Sequence, residues 1–194
     1  MTKSICVFCG SRTGADPAYE RAADLTGASI ARCGWKLIYG GGSVGLMGIL
    51  ANAVLREGGE AVGVIPKFLA TRELLHTGLT DLKVVTSMHE RKAVMADLSG
   101  AFLALPGGYG TLEELFEVIT WSQLGLHHKP VGLLNVSGYF SPLLQFLDRG
   151  FDDGFIREQE RRQLIVDDDP ERILSAFAAI APHPDPSLAQ RAEI

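Results

Sequence analysis

Short continuous apolar runs alternate along this chain with longer segments whose apolar residues recur every three or four positions. The first pattern is that of strands buried on both faces, the second that of amphipathic helices. Their alternation predicts an α/β fold, a single-domain Rossmann-like parallel sheet of about seven strands with helices on both faces. Strands are expected over 4–9, 36–39, 60–65, 83–86, 101–105, 130–134 and 163–166. Helices are expected over 17–33, 45–57, 88–98, 111–124, 139–149 and 170–180. Asp16-Pro17 supplies an N-cap and a first-turn proline for the first helix, and Gly34 closes it. Gly58-Gly59 ends the second. The domain is read over 1–181; Pro182, Pro184 and Pro186 break up the end, so 182–194 are expected to be a flexible tail.

Composition narrows the class. A chain of 194 residues that is 46% hydrophobic and 21% charged has the make-up of an ordinary globular domain. No apolar run approaches the roughly 20 residues of a membrane helix, and the N-terminus lacks the apolar core of a secretory signal. The net charge of -5 argues against nucleic-acid partners, which need a basic surface, yet leaves room for a small anionic ligand. Cys6 and Cys9 form a C-x-x-C, but only Cys33 remains to complete a site and no histidine neighbours it. Buried thiols in a cytoplasmic protein, with no metal, are the expectation.

Two glycine clusters sit between a strand and a helix, where open parallel sheets bind ligands. Gly40, Gly42 and Gly45 make a formal G-x-G-x-x-G, with Gly41, Gly42 and Ser43 placed to touch a ligand. A dinucleotide fold also needs an acidic residue after the next strand. That strand runs Val62-Gly63-Val64-Ile65 into Pro66-Lys67, which disfavours NAD. The second cluster is Pro106-Gly107-Gly108-Tyr109-Gly110-Thr111. Its side-chain-free positions let amides approach a phosphate, and Thr111 adds a hydroxyl. No Gly-Lys-Ser/Thr follows, so a P-loop is not indicated. A tight turn that needs glycine explains either cluster alone; two at strand ends favour a phosphate-bearing ligand.

Met88, Arg91, Val94, Met95 and Leu98 share one helix face, which turns Arg91 inward. An inward guanidinium is costly unless it meets an anion, although an arginine in a first turn can also snorkel. Glu114 aligns with Val118 and Trp121, whereas Glu113 aligns with Glu117, Thr120 and Leu124. Helix-dipole stabilisation accounts for either glutamate, but Glu114 is the better placed to face the loop. Arginine plus carboxylate at adjacent strand ends suits stabilising and hydrating a cationic sugar transition state.

These residues resemble the LONELY GUY (LOG) family. Pro106 to Glu114 reads as its P-G-G-x-G-T-x-x-E signature and Met88-His89-Glu90-Arg91-Lys92 as its Arg-Lys motif. Tyr39-Gly40-Gly41-Gly42 through Gly48, Gly63-Val64-Ile65-Pro66 and Trp121-Ser122-Gln123-Leu124-Gly125 also match, so that the likeness spans residues 4 to 180. It implies a phosphoribohydrolase that cleaves nucleoside 5′-monophosphates, cytokinin ribotides or AMP, to base and ribose 5-phosphate without a cofactor. Arg91 and Glu114 would be the catalytic pair and Gly108 to Thr111 the phosphate seat. Glu73, Lys92 and Thr120 would be further contacts. Gly107, Leu112, Glu113 and Met88 complete the expected binding set, with Phe8, Met88 and Leu46 as candidates for an apolar slot around the base. The family forms dimers, and Trp121, Leu124 and Leu126 suit a homodimer interface. Relatives have carried the label lysine decarboxylase, which would need a Schiff-base lysine; Lys92 is the only candidate. A non-catalytic nucleotide-binding protein is the other alternative.

Overall fold

The computed structural model describes residues 3–70 and 75–180. Seven strands, β1 (Ser4–Phe8), β2 (Lys36–Tyr39), β3 (Ala61–Pro66), β4 (Asp81–Val85), β5 (Phe102–Ala104), β6 (Val131–Leu134) and β7 (Leu164–Asp167), form one sheet in the order β4-β3-β2-β1-β5-β6-β7. Every pairing is parallel. Successive side chains on a strand point to opposite faces, and the core divides accordingly. Ile5 and Val7 pack with α1 (Pro17–Arg32), α2 (Gly45–Arg56) and α7 (Pro170–Ala179), while Cys6 and Phe8 pack with α3 (Met88–Asp97), α4 (Tyr109–Gln123) and α5 (Ser141–Asp152). This is the expected doubly covered parallel sheet.

Strand order decides where a ligand can enter. From β1 the chain moves outward through β2, β3 and β4, then returns to β1's other side to lay down β5, β6 and β7. The connections therefore diverge between β1 and β5. Above the carboxyl ends of those two strands lies the crevice at the topological switch point, which neither neighbouring helix covers.

The local signals in the sequence act as expected at α1. Asp16 caps it by accepting from the Ala18 amide at 2.8 Å, worth about 1 kcal/mol, and Gly34 takes the positive φ of +69° that ends it. Several elements depart from expectation, three of them notably. Helix α4 begins at Tyr109 rather than 111, so Tyr109 and Gly110 belong to its first turn. The expected helix at 139 is preceded by a 3-10 turn at Val136–Gly138 and starts at Ser141. Asn135 Oδ1 accepts from the Phe140 amide there, and Pro142 suits a first turn but not what precedes it. A short helix, α6 (Glu158–Arg162), was not expected: it buries none of its residues, so it carries no apolar period to read. The tail expected over 182–194 lies outside the described residues.

Candidate active site

A cavity of about 430 Å³ occupies the switch-point crevice. Three strand-end segments build it: Cys9 to Gly14 after β1, the first turn of α2 with Leu46 and Met47, and Pro106 to Thr111 after β5. Backbone hydrogen bonds knit them together. The Gly10 amide donates to the Pro106 carbonyl at 3.0 Å and the Leu46 amide to the Gly10 carbonyl at 3.1 Å. A Cβ on Gly107 would strike the Thr111 side chain and come within 2.9 Å of the Gly10 nitrogen, so glycine is required where the two loops cross. Tyr139 props the same loop by donating its hydroxyl to the Gly107 carbonyl, and its ring stacks edge-on against Tyr19 at 5.5 Å.

Beyond that crossing, the second loop is open. Gly108 is the N-cap of α4 and no side chain caps the helix. Nothing lies within 4 Å of where a Cβ would sit on Gly108 or Gly110. The first amides of a fifteen-residue helix, with its positive dipole end, thus stand beside empty cavity, which is the geometry that receives an anion.

Arg91 and Glu114 meet on the cavity wall. Arg91 is 9% exposed; its Nε donates to the Val64 carbonyl at 3.1 Å, and Nη1 lies 3.7 Å from Glu114 Oε1. Gly40 makes this possible, because a Cβ there would overlap Arg91 Nη2. At 3.7 Å the two charges attract without a hydrogen bond, and no other donor among the described residues bonds to Glu114. The carboxylate, with only 13% of its side chain exposed, keeps its lone pairs for whatever enters. Burial pushes its pKa up to about 7; Arg91 opposes this, Glu113 adds to it, Lys92 opposes and Glu117 adds. Such a group exchanges protons near neutrality, as a general acid or base must. Cys9, also on the wall, is held well above the usual thiol range by burial and then by the Glu114 charge, so it stays a neutral thiol and no nucleophile.

Comparison with known proteins bears on this site. The family described as "possible lysine decarboxylase" matches residues 47–177. The chain is 54% identical over 163 residues to cytokinin riboside 5′-monophosphate phosphoribohydrolase LOG7 of Arabidopsis thaliana, covering 84% of this chain and 75% of that one. It is 52% identical over 163 residues to the phosphoribohydrolase LOG of Oryza sativa subsp. japonica, covering 84% and 67%. The chain belongs to the LONELY GUY (LOG) family. Among solved structures, the molybdenum cofactor binding protein of Rippkaea orientalis superposes with a TM-score of 0.70 over 92% of this chain and 97% of that one, at 23% identity. The molybdenum cofactor carrier protein of Chlamydomonas reinhardtii does so with a TM-score of 0.71 over 93% and 100%, at 22% identity. That likeness is one of fold.

The other residues expected to touch a ligand are placed as follows. Gly107, Gly108, Tyr109, Gly110 and Thr111 line the cavity with Arg91 and Glu114. Lys92 does not: its Nζ pairs with Glu113 at 2.6 Å and Glu117 at 2.8 Å, tying α3 to α4. Burial draws the Lys92 pKa down, but those two carboxylates outweigh it and hold it above its ordinary value. A Schiff-base lysine has to give up its proton, and among the described residues no lysine lines the cavity of this LOG protein. Thr120 is exposed and donates to the Phe116 carbonyl. Gly41 and Gly42 are buried and bridge the chain at Leu75 and His76, with Ser43 half-buried beyond them. Leu112 packs on the core, and the Met88 sulfur lies 3.9 Å from Arg91 Nη1. Of the apolar slot candidates Leu46 lines the cavity, whereas Phe8 is buried in the core. Glu73 lies outside the described residues.

Sequence reasoning did not single out Ser11, Arg12, Thr13, Tyr19, Met47 or Tyr139, all of which line the cavity. A signal for the first three was present: Gly10 and Gly14 bracket a polar segment between the first strand and first helix.

Proposed function

We propose that this LOG protein hydrolyses the N-glycosidic bond of nucleoside 5′-monophosphates, AMP or its N6-substituted cytokinin relatives, to free base and ribose 5-phosphate. The observation that carries this reading is a largely buried carboxylate, Glu114, that accepts no hydrogen bond from any described residue and lies 3.7 Å from Arg91, on the wall of a cavity that opens onto an uncapped helix N-terminus. The 5′-phosphate sits against the amides of Gly108 to Thr111. As the C1′–N bond breaks, positive charge grows on the ribose, and the Glu114 carboxylate faces that charge and orients the water that attacks C1′. It takes that water's proton, which then goes to the departing base nitrogen. Glycosidases use carboxylates on an oxocarbenium-like transition state in the same way. Arg91 holds the ligand and balances the negative charge left on the departing base. No step requires a metal or a redox cofactor.

The test is adenine release from AMP. Glu114→Gln keeps the shape but cannot carry the charge, and kcat is expected to fall by about 10²–10⁴-fold. AMP binding with no base release, unchanged by that substitution, overturns the hydrolase reading.

The assembly we propose is a homodimer, supported by Leu124 being 56% exposed at the end of α4 beside half-buried Trp121 and Leu126. A reducing cytoplasm suits three cysteines that are all free. Among the described residues no helix is long and apolar enough to cross a membrane.

A further inference from the structure

Among the described residues, the charged groups on the cavity wall are Arg12, Arg91 and Glu114. Two of them face each other, so among the described residues a phosphate entering the cavity finds one unmatched charge. That charge is Arg12: no carboxylate among the described residues pairs with it, as with Arg21 outside the cavity, whereas Arg32, Arg56, Arg149, Arg157, Arg161, Arg162 and Arg172 have acidic partners. The loop's own carboxylate, Asp16, is occupied in capping α1.

The backbone that carries Arg12 is fixed from two sides. A Cβ on Gly10 would lie 2.9 Å from the Arg12 carbonyl and 3.4 Å from the Gly107 Cα, which places this loop directly against the open second loop. From the α2 side, Gly45 takes a φ of +62° and a Cβ there would lie 2.5 Å from the Arg12 nitrogen. An arginine anchored this way needs only its side chain to move. Amides alone leave a phosphate dianion's charge unbalanced, and guanidinium offers the bidentate hydrogen bonds that phosphate takes best.

We propose that Arg12 binds the 5′-phosphate opposite the Gly108–Thr111 amides, and so makes the site select nucleotides over nucleosides. This rests on the hydrolase reading above for the substrate, but its geometry does not depend on the reaction. Arg12 is exposed, so substitution leaves the core untouched.

Wild type, Arg12→Ala and Arg12→Lys are compared for adenine release from AMP, for competition by ribose 5-phosphate, and for binding of adenosine and AMP by calorimetry. In Arg12→Ala, the KM for AMP and the Ki for ribose 5-phosphate are expected to rise about tenfold or more, as for a lost charge-assisted contact. Its kcat stays within about threefold, adenosine binding is unchanged, and Arg12→Lys falls between. KM and Ki within twofold of wild type overturn the proposal. An equal loss of adenosine binding also overturns it, since Arg12 then merely shapes the cavity. If wild type releases no base yet binds AMP in an Arg12-dependent way, the hydrolase reading falls and the assignment of Arg12 stands.

Discussion

The β2–α2 loop and the β5–α4 loop look alike in sequence, three glycines each at the carboxyl end of a parallel strand, yet they use glycine for opposite purposes. In the first, the space left at Gly40, Gly41 and Gly45 is filled by the protein itself. Gly40 makes room for the Arg91 guanidinium, Gly41 and Gly42 are bridged by the chain at 75–76, and Gly45 packs on the backbone of Ser11 and Arg12. In the second, only Gly107 is filled, where it crosses Gly10; Gly108 and Gly110 face space. Glycine at a strand end therefore marks either close packing or an open ligand seat, and composition does not separate the two. Both following helices lack a side-chain cap and both first turns reach the cavity; what separates the loops is whether the missing Cβ has a neighbour.

Adding one methyl group to each loop sharpens this contrast. The larger effect is expected at Gly40→Ala. The atom it would strike is the far end of Arg91, a flexible side chain, so the fold survives while the guanidinium is driven off Glu114. Misplacing a catalytic group by about 1 Å reduces rate by about 10²-fold, so kcat/KM for AMP should fall by that order with circular dichroism unchanged. If activity is retained, Arg91 has no role in the reaction that depends on its position. Gly108→Ala meets nothing in the protein, and its φ of -96° suits alanine. Its methyl group instead occupies the phosphate's approach. The expected result is a KM for AMP raised about tenfold with kcat nearly unchanged, the signature of lost ground-state and transition-state binding together. Wild-type KM in this variant would move the phosphate elsewhere in the cavity.

How much of this could be read in advance follows from the kind of information each feature carries. The apolar stripe Met88, Arg91, Val94, Met95 and Leu98 turned Arg91 inward, and it is buried. The seven parallel strands followed from apolar runs alternating with helical periods. The pairing of β1's loop with β5's did not, because periodicity says nothing of strand order, and strand order alone makes those two loops neighbours. Arg12 was passed over for that reason. The face shared by Glu113, Glu117 and Thr120 was legible, but not what packs beside it. Lys92 from α3 binds both glutamates, so that side of α4 forms a helix-to-helix tie. Helical spacing gives a face's membership, and tertiary packing gives its neighbours.

The loops differ too in the charge that stands behind them, and pH reads that difference. Behind the first stands the Arg91 guanidinium, filling the space that Gly40 leaves. Behind the second, Glu114 titrates near pH 7 because burial raises it and Arg91 only partly opposes the rise. In the proposed reaction the working form is the carboxylate, so kcat/KM should climb with pH, with a midpoint near 7, and level off above it. Lys92 is among the charges that lower the Glu114 pKa. Replacing it by methionine removes that charge from outside the cavity, and the rising limb should move to higher pH while the plateau rate changes little. This is the smallest of the expected effects and the most specific, because a lysine that acted on the substrate directly would lower the plateau and leave the midpoint where it was. A falling limb near 7 in the wild type would mean that Glu114 works protonated, as an acid to the departing base, and the roles assigned to it and to Arg91 would have to be exchanged.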